Sequence, residues 1–230
     1  MKNLLYYLFL FALGLLTGCS NAQQTSYNKK VLIVYLSRTA NTKAVAEMIQ
    51  KKVGGDLVAL ELEKPYPENY LQTVQQVADE NARGYLPPLK TTIGSIEKYD
   101  VVFVGFPTWG MQMPPPVKSF LRSYDLSGKT VVPFNTNAGY GVGSGFATVK
   151  ELSPNSTVAD GFETKGGIER DGVLFVMKDE KAVAVNKEVE AWLQRIKNEV
   201  NAGCQKPFQF STTKKQSVAG WLRERFSSNK

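Results

Sequence analysis

Six polar residues between a predicted strand and a predicted helix carry the groups best suited to bind an anion. Residues 37–42 (S-R-T-A-N-T) follow an apolar run at 31–36 and precede a helix predicted over 43–52. Hydroxyl groups and free N–H groups at a helix N-terminus suit a phosphate, because the helix dipole is positive there. An ordinary polar turn, with Asn41 or Thr42 capping the helix, explains the same residues. The turn alone therefore predicts either a phosphate site or a helix cap.

Two further loops follow apolar strands in the same way. A predicted strand at 101–106 leads into the loop 107–113, which carries Trp109, and one at 131–135 leads into the glycine-rich loop 136–145, which carries Tyr140. The carboxyl ends of parallel strands meet at one edge of a sheet, and open α/β sheets bind ligands there. The three loops together predict one site for a phosphorylated ligand with a flat aromatic ring.

The elements that position these loops alternate between strand and helix, which predicts a doubly wound parallel α/β sheet. Further strands are predicted at 56–62 and 157–162, and further helices at 68–83, 117–124, 146–152 and 187–200. The last helix carries one apolar stripe that includes Trp192, which indicates a core position. Residues 172–185 predict a β-hairpin with 178–181 as its turn.

The composition excludes several kinds of chemistry. The 230 residues contain no histidine, which excludes Ser-His triads and histidine metal ligands, and the two cysteines have no CxxC spacing. Residues 29–200 hold 21 Lys and Arg against 20 Asp and Glu, a difference of +1, whereas 201–230 hold 6 against 1, a difference of +5. Because the body is nearly neutral, we expect no nucleic-acid partner. Because histidine and paired cysteines are lacking, we also expect no metal.

The N-terminal residues have the pattern of a secretory signal. Lys2 precedes an apolar run at 4–16 that is too short to span a bilayer comfortably, and Leu16-Thr17-Gly18-Cys19 resembles the lipobox of bacterial lipoproteins. This resemblance implies cleavage before Cys19 and lipidation of Cys19, whereas a plain signal peptide or a helical anchor would explain the run without lipid. We expect a signal peptide at 1–18, a polar tether at 19–28, and a location on a membrane of the bacterial cell envelope, outside the cytoplasm.

The motifs at the three loops resemble those of the flavodoxins. The resemblance rests on the strand and turn at 31–42, on Gly105-Phe106-Pro107-Thr108-Trp109-Gly110, on 115–120 and on the glycine-rich 135–145. It extends over about 29–200 and implies a five-stranded sheet in the order 2-1-3-4-5, with the predicted hairpin as a small insertion near the last strand. It also implies the cofactor FMN and a role in electron transfer.

The resemblance assigns the residues that would bind FMN. The phosphate would be held by the side chains of Ser37, Thr39, Asn41 and Thr42 and by the backbone of Arg38 and Ala40. The Arg38 side chain is expected to point outward, with a role in charge balance as the alternative. The isoalloxazine ring would stack on Trp109 and lie against Pro107, Thr108 and Gly110. Its other side would face Thr136, Asn137, Gly139, Tyr140 and Gly141. No side chain is expected to act as a catalytic acid, base or nucleophile.

Two features depart from the family pattern. Ala40 stands where glycine is usual, which costs roughly 1 kcal/mol if this position requires a positive φ. Flavodoxins that act as electron carriers are typically acidic, whereas this body is nearly neutral. The second departure favours a dedicated redox partner or a reductase over a general electron shuttle.

Three functions therefore stay open from the sequence. The first is an electron-transfer lipoprotein with a redox partner protein or a small electron acceptor. The second is an FMN-dependent NAD(P)H or quinone reductase, and the third is a membrane-tethered interaction module without flavin. Residues 201–230 form a basic tail, in which 217–226 has the spacing of an amphipathic helix that would lie on an anionic membrane or dock on the domain.

Overall fold

A parallel sheet forms the centre of residues 29–202, the part of the chain that the computed structural model describes. Its strands β1 to β5 stand in the order β2-β1-β3-β4-β5, and β6 also pairs with β4 in parallel. This order confirms the predicted fold class. The strands are β1 (Val31–Tyr35), β2 (Asp56–Ala59), β3 (Val101–Pro107), β4 (Thr130–Asn137), β5 (Thr157–Val158) and β6 (Phe162–Lys165).

Helices cover both faces of this sheet. They are α1 (Asn41–Val53), α2 (Tyr70–Arg83), α3 (Pro115–Ser123), α4 (Gly145–Leu152) and α5 (Asp179–Ala202), with short 3-10 turns at Ile96–Lys98 and Glu169–Asp171. On one face α1 and α5 pack on the sheet through Ile49 and Trp192, and on the other α3 and α4 pack through Phe120 and Val149. Trp192 is buried, as its helical stripe predicts. Within residues 29–202, no helix is both long enough and apolar enough to cross a membrane.

The predicted fifth strand at 157–162 is interrupted. Residues 157 and 158 pair with Thr130 and Val131, and pairing resumes only where Phe162 meets Phe134. The N–H of Ala159 still donates to the oxygen of Val131. Along β4, every second residue turns its backbone N–H and C=O toward β5 and β6, and the next such residue after Val131 is Pro133. Proline has no N–H to donate, and the edge strand carries one extra residue opposite it. The edge is therefore divided into β5 and β6.

The predicted hairpin at 172–185 is wrong. Residues 173–178 are irregular, with one isolated bridge between Ile168 and Val173, and α5 already begins at Asp179. Val185 is buried and lies one helical turn before Val189, so the apolar stripe of the last helix extends further toward the N-terminus than predicted. Acidic residues in the first turn also suit the positive end of the helix dipole. The predicted signal peptide, Cys19, the tether and the C-terminal tail lie outside the described residues.

Candidate functional site

A cavity of about 610 Å³ lies at the carboxyl ends of β1, β3 and β4. The three loops that the sequence singles out meet there, as the rule for parallel sheets predicts. Of the residues proposed to bind a cofactor, all but Ser37, Ala40 and Gly139 line it. Those that do are Arg38, Thr39, Asn41, Thr42, Pro107, Thr108, Trp109, Gly110, Thr136, Asn137, Tyr140 and Gly141.

The turn before α1 has the backbone of an anion site and no side-chain cap. Ala40 occupies the N-cap position in the left-handed region, with φ 61° and ψ −2°, and makes no capping hydrogen bond through its side chain. The first helical bond runs from the N–H of Ala44 to the oxygen of Ala40, so the N–H groups of the first turn have no acceptor within the helix. The alternative of an ordinary cap by Asn41 or Thr42 is therefore wrong.

One hydroxyl of this turn lacks a hydrogen-bond partner. Among the described residues, three buried hydroxyls have no hydrogen-bond partner, those of Ser37, Thr130 and Ser153, and of these only Ser37 belongs to the turn beside the cavity. The hydroxyls of Thr42 and Thr136 lie 2.8 Å apart, which joins the turn to the end of β4. The Thr39 hydroxyl accepts a hydrogen bond of 2.9 Å from Asn41 Nδ2, which leaves its own proton free to donate. The turn thus presents hydroxyl donors beside a helix N-terminus.

Asn41 has a different role from the predicted one. Its Nδ2 donates to the oxygen of Leu174 at 2.6 Å, and its Oδ1 accepts from the N–H of Val176 at 3.0 Å. The side-chain amide therefore holds the irregular segment 173–178 against the turn. Because its side chain is used in this way, Asn41 would contact a ligand only through its backbone, in the first turn of α1.

Arg38 does not point outward, so that expectation is wrong. Its Nε forms an ion pair with Glu169 Oε1 at 2.6 Å, and its two Nη atoms donate to the oxygens of Pro67 and Glu68 at 2.9 and 2.6 Å. The side chain is about one-fifth exposed. Arg38 thus ties together the loop before α2 and the segment after β6, which form two sides of the cavity. Because Glu169 neutralises its charge, Arg38 adds little positive field to the site.

Trp109 lines the cavity and is supported from behind. The ring of Tyr66 meets the Trp109 ring edge-on, with centroids 5.5 Å apart and planes at 82°. The Tyr66 hydroxyl donates to Glu80 Oε2 at 2.5 Å, and Gln76 Nε2 donates to Glu80 Oε1 at 2.8 Å. Burial, followed by the hydrogen bond to Glu80, raises the pKa of Tyr66 well above its ordinary value. This buried arrangement fixes where the indole can lie.

The loop after β4 is organised by Asn137. Its Oδ1 accepts from the N–H groups of Gly139 and Gly141 at 2.8 and 3.2 Å, and its Nδ2 donates to Glu163 Oε2 at 3.0 Å. Thr108 Oγ1 donates to the oxygen of Gly141 at 3.0 Å, which connects the loops after β3 and β4. Tyr140 is 68% exposed and lies at the rim of the cavity.

Sequence reasoning missed two walls of the cavity. The first is a face of α2, a helix predicted only from its periodicity, which leaves Leu71 71% and Val74 46% exposed. Only periodicity was available there, and periodicity does not tell a core face from a cavity wall. The second is the segment after β6. The missed residues of α2 are Tyr70, Thr73, Val74, Val77, Ala78, Asn81 and Ala82, and those after β6 are Gly166, Gly167, Ile168, Glu169 and Arg170. Met111, Gln112 and Ala138, in the loops that were predicted, also line the cavity.

The arrangement has features of a binding site rather than of acid-base catalysis. Hydroxyls and backbone groups lie at one end of the cavity, and aromatic and aliphatic side chains line much of the rest. In the described part of the chain, no group of three potential metal ligands occurs. The geometry therefore suits a bound group that brings its own chemistry.

This sheet order, with a cavity at the ends of its central strands, defines a flavodoxin-like α/β protein. The sequence model of the flavodoxin family matches residues 30–178, more than half of the chain, and the protein belongs to that family. The family assignment is thereby confirmed.

Solved structures agree with this fold. A provisionally assigned flavoprotein from Bacteroides eggerthii DSM 20697 is 28% identical with a TM-score of 0.59, covering 74% of this chain and 99% of its own. One from Bacteroides uniformis ATCC 8492 is 22% identical with a TM-score of 0.55, covering 72% and 97%. A flavoprotein in complex with FMN from Lactobacillus acidophilus NCFM is 23% identical with a TM-score of 0.51, covering 63% and 98%. A comparison with curated proteins found no match.

Proposed function

We propose that this flavodoxin-family protein binds FMN in the cavity at the ends of β1, β3 and β4 and transfers electrons through it. The observation that carries the proposal is the turn at 37–42, which combines an unpaired buried hydroxyl with a free helix N-terminus beside an aromatic-lined cavity. The family assignment, together with the Lactobacillus structure solved with FMN, favours FMN over other phosphorylated aromatic ligands.

The residues at the turn fit a phosphate group. Ser37 Oγ lacks a partner, Thr39 Oγ1 has a proton to donate, and the N–H groups of the first turn of α1 have no intrahelical acceptor. Backbone N–H groups and the helix dipole hold a phosphate without a cation, and Arg38 is already paired with Glu169. Arg38 would instead fix the loops on either side.

The side chains farther along the cavity fit a flat ring. Trp109 offers an aromatic surface that Tyr66 holds in place, and the loop with Tyr140 lies across from it at the end of the neighbouring strand. FMN, when bound, supplies one- and two-electron redox chemistry, and the protein would orient the ring and exclude water from it. No protein side chain is assigned a catalytic acid, base or nucleophile role.

A reductase is the second candidate, and the wall formed by α2 favours it. Val74, Val77 and Ala78 add an apolar surface to the cavity beyond the three loops assigned to FMN. Such a surface suits a flat apolar second substrate such as a quinone. Steady-state turnover with NADPH and a quinone separates the candidates, since a pure electron carrier gives no sustained turnover without its partner protein.

The proposed location is a membrane of the bacterial cell envelope, outside the cytoplasm, where a lipid on Cys19 would anchor the protein. The lipobox-like Leu16-Thr17-Gly18-Cys19 supports it. The partners would be a redox protein or a small electron acceptor. Growing cells with labelled palmitate tests this location: label in the wild type that disappears in Cys19→Ala supports it, and label that survives the substitution contradicts it.

Flavin fluorescence quenching tests the FMN site. Thr39→Ala and Thr42→Ala should each weaken FMN binding, because each removes a hydroxyl at the proposed phosphate site. Thr91→Ala is a matched control, since Thr91 bonds backbone near β2 and does not line the cavity. No quenching at micromolar FMN would favour a flavin-free interaction module. Unchanged affinity in both cavity variants would mean that the turn is not the phosphate site.

A further inference from the structure

The two ends of the described chain emerge together, on the side of the domain opposite the cavity. Lys29 Nζ donates to the oxygens of Val200 and Asn201 at 2.7 and 3.2 Å. Lys29 precedes β1, and Val200 lies in the last turn of α5. The strands start at this end of the sheet, whereas the cavity lies where β1, β3 and β4 finish.

Helix α5 connects the end of the domain that holds the cavity with the end that holds Lys29. It runs antiparallel to the strands, from beside the turn at 37–42 to Lys29. Asn41 Oδ1 accepts from the N–H of Val176, three residues before the helix starts, and the helix ends beside Lys29. Its 24 residues span about 36 Å at 1.5 Å per residue. The cavity begins at Arg38, nine residues after Lys29, so its nearest wall lies at most about 32 Å from the point where the chain enters the domain.

The chain between the proposed lipid and the domain is short compared with the size of the domain between Lys29 and the cavity. Ten Cα–Cα steps separate Cys19 from Lys29. At full extension they span at most about 36 Å, and a coil of that length averages about 16–19 Å between its ends. Turning the cavity toward the bilayer would hold Lys29 away from it by most of the length of the domain, which is beyond the average span of the tether and requires it to be nearly extended.

We infer that the membrane-anchored protein holds the amino-terminal edge of its sheet toward the bilayer and its cavity toward the aqueous phase. This inference rests on the proposed lipid at Cys19. Helix α5 ends at this same edge, and residues 201–230 of the sequence carry six positive charges against one negative, which favours an anionic surface. The electron partner is then a water-soluble protein or solute that approaches from the side away from the membrane, and not a quinone dissolved in the lipid.

Two fluorescent labels on α5 test the orientation. In full-length protein that carries Cys204→Ser, a label is placed by Val183→Cys near the cavity or by Asn198→Cys near Lys29, both exposed positions about 22 Å apart along the helix. The protein is anchored in phosphatidylcholine vesicles that contain a short-range quencher on the lipid headgroups. We expect at least threefold stronger quenching at 198 than at 183. Equal or reversed quenching would overturn the inference.

A longer tether is the matched control. Twenty Gly and Ser residues inserted between Asn28 and Lys29 should bring the two quenching values close together, because the domain can then turn over. An unchanged ratio would mean that the tether does not set the orientation, which also overturns the inference. The quenching of the labels does not depend on bound flavin. A failure of FMN binding is detected separately, by flavin absorbance, and so cannot be mistaken for a failure of the proposed orientation. If Cys19→Ser does not change the flotation of the protein with vesicles, Cys19 does not carry the lipid anchor, and this inference is overturned.

A redox measurement on the same vesicles tests the partner class. Chemically reduced flavoprotein should be reoxidised by a water-soluble short-chain quinone at least tenfold faster than by a long-chain quinone of the same headgroup confined to the bilayer. The long-tether variant should lose most of this difference. Equal rates for both quinones in the wild type would show that the cavity reaches the membrane.

Discussion

Replacing Ala40 with glycine should stabilise the protein. Ala40 holds φ 61° at the N-cap of α1, a conformation that is unfavourable for an L-residue by about 1–2 kcal/mol. Glycine removes that strain but gives the unfolded chain additional freedom, which offsets about 0.4–1 kcal/mol. The net gain in the free energy of unfolding is therefore about 0–1.6 kcal/mol, with a central value of about 0.8 kcal/mol. For a domain of this size, the central value raises Tm by roughly 1–4 °C.

Urea unfolding and thermal unfolding of the full-length protein, followed by far-UV circular dichroism, measure this gain. Ser95→Gly is a matched control, because Ser95 is also exposed, has φ 58°, and does not line the cavity. Both variants should be stabilised, but only Ala40→Gly changes the backbone beside the proposed phosphate site. FMN affinity should therefore stay constant in Ser95→Gly and stay constant or increase in Ala40→Gly. Stabilisation by Ser95→Gly alone would refute the strain assigned to Ala40.

Three further predictions concern the residues that hold the cavity in shape. Tyr66→Phe leaves a buried oxygen of Glu80 without its donor and should lower the free energy of unfolding by about 1–3 kcal/mol in urea titrations, whereas an unchanged midpoint would contradict the bond. Asn41→Ala removes the bonds to Leu174 and Val176 and should lose about 1–3 kcal/mol, with faster hydrogen exchange at the Val176 N–H; exchange as slow as in the wild type would argue against the clamp. Because the pKa of Tyr66 is raised above its ordinary 10.0, the unfolded chain releases this proton first, so stability is complete below about pH 10 and falls as the pH rises above it. Urea titrations at pH 8 and pH 11 should show the fall, and Tyr66→Phe should reduce it; an equal fall in the variant would assign it to other groups.

The sheet could be predicted from the sequence because its strands are strongly apolar runs. The meeting of the loops after β1, β3 and β4 follows from general rules for parallel sheets, whereas the order of the strands was implied by the resemblance to flavodoxins. The start of α5 was missed because residues 173–176 are apolar and rich in β-branched side chains, which local pattern assigns to a strand. In the fold, the Asn41 amide binds this segment instead, and no local pattern reports a contact between residues 133 and 135 positions apart.

The candidate site could be predicted only in part, for a related reason. The three loops carry recognisable residue types, but the side chains that support them come from elsewhere in the chain. Arg38 binds Glu169, and Tyr66 packs on Trp109, and both are long-range contacts that depend on the completed fold. The wall formed by α2 was missed because its apolar face has the same spacing whether it meets a core or a cavity.

The affinity for FMN compared with riboflavin tests the central claim most directly, since the two ligands differ only in the phosphate. Hydrogen bonds to a charged group contribute about 1.5–3 kcal/mol each, so two of them at the turn predict at least a hundredfold difference. Fluorescence titrations of the full-length protein with both ligands measure it. We expect FMN to bind at least a hundredfold more tightly than riboflavin and Thr39→Ala to narrow this difference in affinity. Equal affinities, or no binding of FMN, would contradict it.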